Sequence, residues 1–328
     1  MLEKNKISKI IIAISALFII ASCGKEKDES LDSIQKRVLE AYLEINYPNA
    51  KPSESGLVVL SKTPGDGKVL EEYDFAYLRY STKMLDGVYQ TYNFEDVAKR
   101  LGTYSKSTYY GPKLYYIGYG NTIIGLEELL LGEKKGAKLS AIIPPWLSKY
   151  KSNGSNTSQE NQNNLIYDVE LEEVIEDIEK FQIDTLEAYS KKYYGGIDST
   201  AYGYYFKKIV SSGKDSVSAG TSVNVTYVGK LLDGFIFDTN IADSAKKYEI
   251  YNASKTYSPL SISYSATADE MAENNEIKIG FAKAVKSMTI GDEAIVFFDS
   301  NYGYGATSSG SIGPYQPLFF YIKVEEEE

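Results

Sequence analysis

The chain has 328 residues, 45 of them Asp or Glu and 35 Lys or Arg, for a formal net charge of −10. It contains no histidine and a single cysteine, Cys23, which excludes Ser-His-Asp triads, Cys-His pairs, HExxH helices and typical zinc sites, and with them most hydrolase chemistry. The length suits two domains of ordinary size, so acidic a surface argues against nucleic acid as a partner, and the 30 tyrosines read as amphipathic sheet and groove surface rather than radical or metal chemistry.

At the start of the chain, Lys4, Lys6 and Lys9 precede the apolar run Ile10 to Ile20, which ends in Ile20-Ala21-Ser22-Cys23. That run is shorter than the ~20 residues of a spanning helix and reads as a signal sequence over residues 1–22. Its end resembles a bacterial lipobox, in which the first mature residue is a lipidated cysteine. The resemblance assigns lipidation to Cys23, against an ordinary secretory signal with a leftover thiol. A thiol consumed by lipid leaves the mature protein without a disulfide, and multiple acyl chains hold it stably on a membrane where one chain does not. Losing residues 1–22 removes Glu3, Lys4, Lys6 and Lys9 and moves the net charge from −10 to −12. The membrane is therefore expected to be met through the anchor at Cys23 and not through a basic patch. The location this implies is the cell envelope of a Gram-negative bacterium, on the outer membrane, with either face open.

Gly24 to Ser30 is a polar tether whose Lys-Glu-Lys-Asp-Glu order is similar to the surface-export signals of Bacteroidota lipoproteins, although a plain solvated tether explains it as well. Leu31 to Tyr47 carries Ile34, Val38, Leu39, Tyr42 and Ile45 at helical spacing, ended by Pro48 and Pro52. An internal repeat follows. Leu39-Glu40-Ala41-Tyr42 returns as Leu186-Glu187-Ala188-Tyr189, Gly56 as Gly203, Tyr80 as Tyr227 and Asp86-Gly87 as Asp233-Gly234, each pair 147 positions apart. Further on, Gly125 pairs with Gly280 and Gly136 with Gly291, now 155 apart, so the second copy carries an insertion between hairpin and helix. The last strand recurs as well, Leu165-Ile166-Tyr167 against Leu318-Phe319-Phe320.

Within the second copy, Val223 to Asp238 alternates apolar and polar residues and then reverses at Asp233-Gly234, the pattern of a β-hairpin with an aromatic face. The order Val-x-Tyr-x-Gly-Lys-x-Leu-Asp-Gly-x-x-Phe-Asp resembles the FKBP-type peptidyl-prolyl cis-trans isomerases. The remaining blocks of that family come in order: Gly280-Phe281 opening a short helix, Met288 to Glu293 leading into a strand, Tyr302-Gly303-Tyr304-Gly305 in a loop, and Pro317 to Phe320 beginning the last strand. The resemblance implies an α+β fold: two tandem FKBP-like domains, each an antiparallel sheet of about five strands wrapped on a short helix and preceded by another helix. The expected division is a signal peptide at 1–22, an anchored tether and helix at 23–54, a degenerate domain at 55–176, a linker helix at 177–199 and the isomerase domain at 200–328.

The resemblance also implies the site. Tyr227, Phe237, Asp238, Ile277, Phe281, Tyr304, Ile312 and Phe320 are expected around an apolar cleft, with Phe281 where many members have tryptophan. Phe237, Phe281 and Phe320 would form walls and floor, the Lys278 N–H and the Tyr304 hydroxyl would hold substrate, and Tyr227 would satisfy a buried Asp238. The partners are proline-containing polypeptides, and no cofactor or metal is expected. Rotation of an X–Pro amide faces a barrier of ~18–20 kcal/mol from resonance. Twisting it makes the carbonyl less dipolar, so an apolar pocket favours the twisted state without a nucleophile. A chain lacking histidine can thus still be an enzyme.

The first copy keeps Tyr80, but Gln90 and Thr91 stand for Phe237 and Asp238, Leu126 for Phe281, and Pro144 to Lys149 for the tyrosine-glycine loop. It is expected to be weak or inactive, with Trp146 filling or capping its groove. The polar run from Ser152 to Asn164 reads as a flexible loop, and the insertion, Thr239 to Glu276, reads as a self-packed Ω-loop or a substrate gate. The alternatives to an isomerase of exported proteins are a non-catalytic binding or chaperone protein and a structural lipoprotein.

Overall fold

The computed structural model describes residues 29–118, 120–150 and 161–325. The expected signal segment and Cys23 lie outside them, and of the tether only Glu29 and Ser30 are included.

Helix α1 (Leu31–Asn46) begins where the Ser30 hydroxyl accepts a hydrogen bond from the Ser33 amide at 3.2 Å, satisfying one donor that a helix start leaves without an internal partner. Its Leu39 and Leu43, four apart and so on one face, are buried against Val58, Ile142 and Ile166. These belong to an antiparallel sheet in which β1 (Val58–Thr63), β5 (Lys138–Ile143), β6 (Leu165–Ile175), β2 (Phe75–Met84) and β3 (Tyr89–Tyr92) lie in that spatial order, with β4 (Lys113–Tyr116) also pairing β2. Strand alternation sends the neighbours Ile143, Leu165 and Tyr167 to the other face. There α3 (Ile124–Leu130) crosses the sheet, with Leu126, Leu129 and Leu130 buried. A shorter helix, α2 (Glu95–Leu101), follows β3.

The second domain repeats this plan. Its leading helix α4 (Ile178–Tyr194) is capped by Asp177, which accepts from the Lys180 amide at 2.9 Å, and is stopped by Gly195 at φ +71°. Leu186 and Tyr189 lay it on Tyr205, Ile295, Phe297 and Phe319, one face of the second sheet. That sheet runs β10 (Leu260–Ser263), β8 (Ser222–Leu231), β12 (Leu318–Val324), β11 (Glu293–Phe298) and β7 (Tyr204–Val210), with β9 (Ile236–Thr239) also on β8. The opposite face carries Phe320, Ile322 and Val324 against α7 (Ile279–Lys286), whose Phe281, Ala282, Ala284 and Val285 are buried. Each sheet thus has six strands rather than five, with one helix on each face.

Two sequence expectations are revised here. The insertion is no Ω-loop. It holds α5 (Ala242–Lys247), the edge strand β10 and α6 (Ala268–Asn274), whose start is a capping box between Thr267 and Glu270 and whose Met271 is buried. Lys113 and Leu260, which open β4 and β10, are still 147 apart, whereas Ile124 and Ile279, which open α3 and α7, are 155 apart. The extra residues therefore lie between β10 and α7, where α6 sits. Trp146 neither fills nor caps the first groove: its indole N–H donates to the Ser55 carbonyl at 2.7 Å, and its ring covers Gly56, where a Cβ would come within 2.9 Å. Of the polar run from Ser152 to Asn164, only 161–164 is described, and Asn164 is tied to the Gln35 carbonyl of α1 at 2.8 Å. No helix among the described residues is long and apolar enough to cross a membrane.

Candidate active site

Where β8, β9, α7 and the loop after β11 meet, a cavity of about 190 Å³ is lined by Tyr227, Phe237, Asp238, Leu260, Glu276, Ile277, Lys278, Phe281, Tyr304 and Phe320. Phe320 is its centre: the rings of Phe281 and Phe237 meet it edge-on at 5.2 and 5.6 Å between centroids, and Tyr227 meets Phe281 edge-on at 5.5 Å. Edge-to-face contacts of this kind add about 0.5–1.5 kcal/mol each to simple burial. Eight of the nine expected cleft residues line this cavity. Ile312 is not among them; it is buried in the same apolar cluster as Phe281 and Phe320.

A glycine makes the wall possible. A Cβ at Gly229 would lie 2.7 Å from the Phe237 ring and 2.9 Å from Phe320, so only the bare backbone of β8 lets Phe237 fold inward. The first copy has Thr82 at the matching position, and Thr82 instead shares a 2.7 Å hydrogen bond with Thr91. A second fixture was missed in the sequence. The Asn240 side chain accepts from the Tyr227 amide and donates to the Val225 carbonyl, both at 2.8 Å, locking the end of β9 to β8. Asn93 does the same for Tyr80 and Leu78, at 2.6 and 3.2 Å. The equal offset of the two asparagines was the available signal.

At the cleft's polar end the Tyr227 hydroxyl donates to Asp238 at 2.6 Å. Burial first, and then this bond, raise the Tyr227 pKa above its ordinary value, which keeps it a donor. Asp238 is less buried than expected, its side chain 40% exposed, and its other oxygen is paired with the Lys255 ammonium. Lys255 also donates to the Thr239 carbonyl at 2.9 Å. Nothing in the spacing of Lys255, within the insertion, marks it as a partner of β9. Lys278 precedes α7 as its N-cap, and its ammonium lies 4.3 Å from the centre of the Tyr304 ring, a cation–π arrangement across the cleft mouth. Among the described residues no group of three or more His, Cys, Asp or Glu is placed to hold a metal.

The corresponding cleft of the first domain is larger, about 420 Å³, and among the described residues its lining, which includes Tyr80, Gln90, Thr91, Asn121, Leu126 and Tyr167, has no charged residue. All three phenylalanines and the carboxylate are replaced, and only the third position, where Tyr167 stands in line with Phe320, keeps an aromatic ring.

The comparisons agree with this doubled plan. The family model for FKBP-type peptidyl-prolyl cis-trans isomerase matches residues 70–172 and 213–325, one segment in each domain. Among curated proteins, the chain is 23% identical over 264 residues to peptidyl-prolyl cis-trans isomerase FKBP9 of Homo sapiens, covering 80% of this chain and 36% of that one. It is 32% identical over 89 residues to the short-type peptidyl-prolyl cis-trans isomerase of Methanocaldococcus jannaschii, covering 27% of this chain and 51% of that one. The chain therefore spans about a third to a half of the length of these relatives. Among solved structures, that of the three FKBP domains of wheat FKBP73 is 17% identical, covering 83% of this chain and 95% of its own, with a TM-score of 0.30. FkpA from Escherichia coli is 24% identical, covering 52% of this chain and 72% of its own, with a TM-score of 0.31; scores this low carry no argument. With its family pattern matched twice over more than half of its length, the chain belongs to the FKBP-type peptidyl-prolyl cis-trans isomerase family.

Proposed function

We propose that this protein isomerises X–Pro bonds of exported polypeptides in the cleft of its second domain, while held at the cell envelope through Cys23. The observation that carries the catalytic reading is the closed set of aromatic contacts among Tyr227, Phe237, Phe281 and Phe320 beside the Tyr227–Asp238 hydrogen bond. In this reading the proline ring rests on Phe281 between Phe237 and Phe320, and the apolar wall strips water from the amide. The planar amide, with its larger dipole, loses more by this than the twisted one. The Lys278 N–H, at the open N-terminal end of α7, receives the carbonyl that follows proline, and the Tyr304 hydroxyl donates a second bond. Tyr227 and Lys255 hold Asp238 facing the twisting carbonyl.

The test is a protease-coupled isomerisation assay on the full chain beside Asp238→Ala and Phe281→Ala. Loss of activity in both variants supports catalysis by the second domain; activity unchanged in both moves the site elsewhere. An inactive wild type leaves the second reading, a non-catalytic peptide-binding or chaperone protein, which the large cleft of the first domain, uncharged among the described residues, favours. For the anchor, replacing Cys23 by alanine is expected to release the protein from the membrane fraction; retention would remove the lipid reading.

A further inference from the structure

The first domain touches the second at two segments that adjoin the residues of its cleft in the chain or by a hydrogen bond. On one side, the Tyr109 ring, in the loop between α2 and β4, packs edge-on against Phe235 at 5.2 Å between centroids. Its hydroxyl donates to Asp233 Oδ2 at 3.0 Å. On the other side, Phe75 of β2 meets Tyr315 edge-on at 5.4 Å. The Tyr315 amide donates to the Gly305 carbonyl at 2.7 Å, so this second contact bears on the loop that carries Tyr304.

The first contact reaches the cleft wall by a short route. Asp233 closes the turn between β8 and β9: its Oδ1 accepts from the Phe235 amide at 3.0 Å while Oδ2 takes the Tyr109 hydroxyl. Phe237 and Asp238 follow on β9, an edge strand of four residues paired on one side only, with an irregular register at Gly229 and Lys230. Short edge strands are weakly determined by their own ladder. The internal control is the first domain's own turn, where the Asp86 carboxylate likewise accepts from the Val88 amide at 3.0 Å, yet Val88 is 56% exposed. Its counterpart Phe235 is covered by Tyr109.

The loop is anchored to hold position. Arg79 donates to the Tyr110 carbonyl at 2.6 Å and Asn93 to the Gly111 carbonyl at 3.1 Å. Gly111 is required because a Cβ there would lie 2.0 Å from the Tyr109 ring and hydroxyl. Lys106 in the same loop pairs with Glu249, just past α5, at 2.8 Å.

We infer that the catalytically degenerate first domain serves as a clamp on the second, with Tyr109 as a positioning residue that holds the β8–β9 turn and through it Phe237 and Asp238. The inference rests on the second cleft being the isomerase site. It is tested on the full chain with Tyr109→Phe, which deletes only the hydroxyl, and Gly111→Ala, which displaces the ring. Two readouts are taken: hydrogen exchange at the amides of residues 236–239, and kcat/KM. Removing one such hydrogen bond is expected to lower kcat/KM by about three- to tenfold, with faster exchange confined to β9 and the turn. Exchange and kcat/KM equal to wild type in both variants overturn the clamp, even if Asp238→Ala abolishes turnover. Faster β9 exchange together with turnover that ignores Asp238→Ala supports the hold and removes the cleft reading instead.

Discussion

The two domains share strand order, helix placement and the asparagine lock, yet their clefts differ in what the backbone leaves room for. In the second, Gly229 gives its space to Phe237, and three phenylalanines close around about 190 Å³ beside a carboxylate. In the first, Thr82 occupies that space and bonds Thr91, Gln90 stands in place of Phe237, and about 420 Å³ is left open with no charge among the described residues of its lining. The fold tolerates both because the cleft wall is an edge strand that contributes little to either core. Architecture and cleft lining are thus separable in this molecule, and a handful of positions sets the two clefts apart.

The strongest way to break that comparison is to give the second cleft the residues of the first. Phe237→Gln with Asp238→Thr removes the edge contact with Phe320, the hydrogen bond from Tyr227 and the ion pair with Lys255, and kcat/KM is expected to fall on the order of a hundredfold or more. A loss under threefold, measured on the full chain, would place the chemistry outside these residues. The next effect is on stability. Asp292 is fully buried. Burial works against its charge, but the Lys208 ammonium at 2.6 Å and the amides of Ser212 and Thr289, each at 2.8 Å, outweigh it and hold its carboxyl well below the usual range. Asp292→Ala leaves the amides of Ser212 and Thr289 and the half-buried Lys208 ammonium without their acceptor and is expected to cost the second domain about 1–3 kcal/mol. The first domain, which has Ala137 at the matching position, should melt unchanged. Because the folded pKa is lowered, the stabilisation is present above the unfolded value, near 3.8, and is lost as pH falls toward the folded one. The second domain should therefore lose stability first on acidification, as denaturant titration at falling pH will check.

Gly229→Thr sharpens the comparison further, since it writes the first domain's residue into an otherwise intact cleft. The threonine side chain would displace the Phe237 ring and widen the wall, with kcat/KM expected to fall about tenfold, as for a cleft that has lost one well-packed aromatic contact and its alignment. Unchanged turnover would mean that Phe237 is packing only.

The sequence carried the fold because strand alternation and the repeat survive in both copies: Tyr80 and Tyr227, and Asp86-Gly87 and Asp233-Gly234, fall at one spacing. It carried most of the cleft for the same reason, since Phe237, Phe281 and Phe320 sit in motifs whose order is linear. Contacts made from outside those motifs were not legible. Lys255 reaches Asp238 from the insertion, and Tyr109 reaches Asp233 from another domain 124 residues away in the chain; no local period encodes either. Ile312 was the least legible position, because the segment after Gly305 follows no regular element, so spacing could not decide whether it faces the cleft or the core. The capping box at Thr267 and Glu270 and the alternation over Leu260–Ser263 are written in the sequence, but both elements are short, seven and four residues, and lie among tyrosines that fit a self-packed loop equally well.

The smallest expected effect lies in the first domain and is the most direct check on the division of labour. Gln90 and Thr91 face a wide cavity, and neither touches the aromatic set of the second domain. Gln90→Ala is therefore expected to leave kcat/KM within about twofold, the scale of an ordinary surface change. Thr91→Ala breaks the 2.7 Å bond to Thr82, which is expected to lower the first domain's stability by about 0.5–1.5 kcal/mol while sparing turnover. The two readouts separate what a single activity number would merge. If Thr91→Ala lowers stability and turnover together, the first domain acts on the second through its fold, as a clamp requires when it loosens. If Gln90→Ala alone lowers turnover at unchanged stability, the first cleft itself handles substrate, and the two domains are not divided in the way their residues imply.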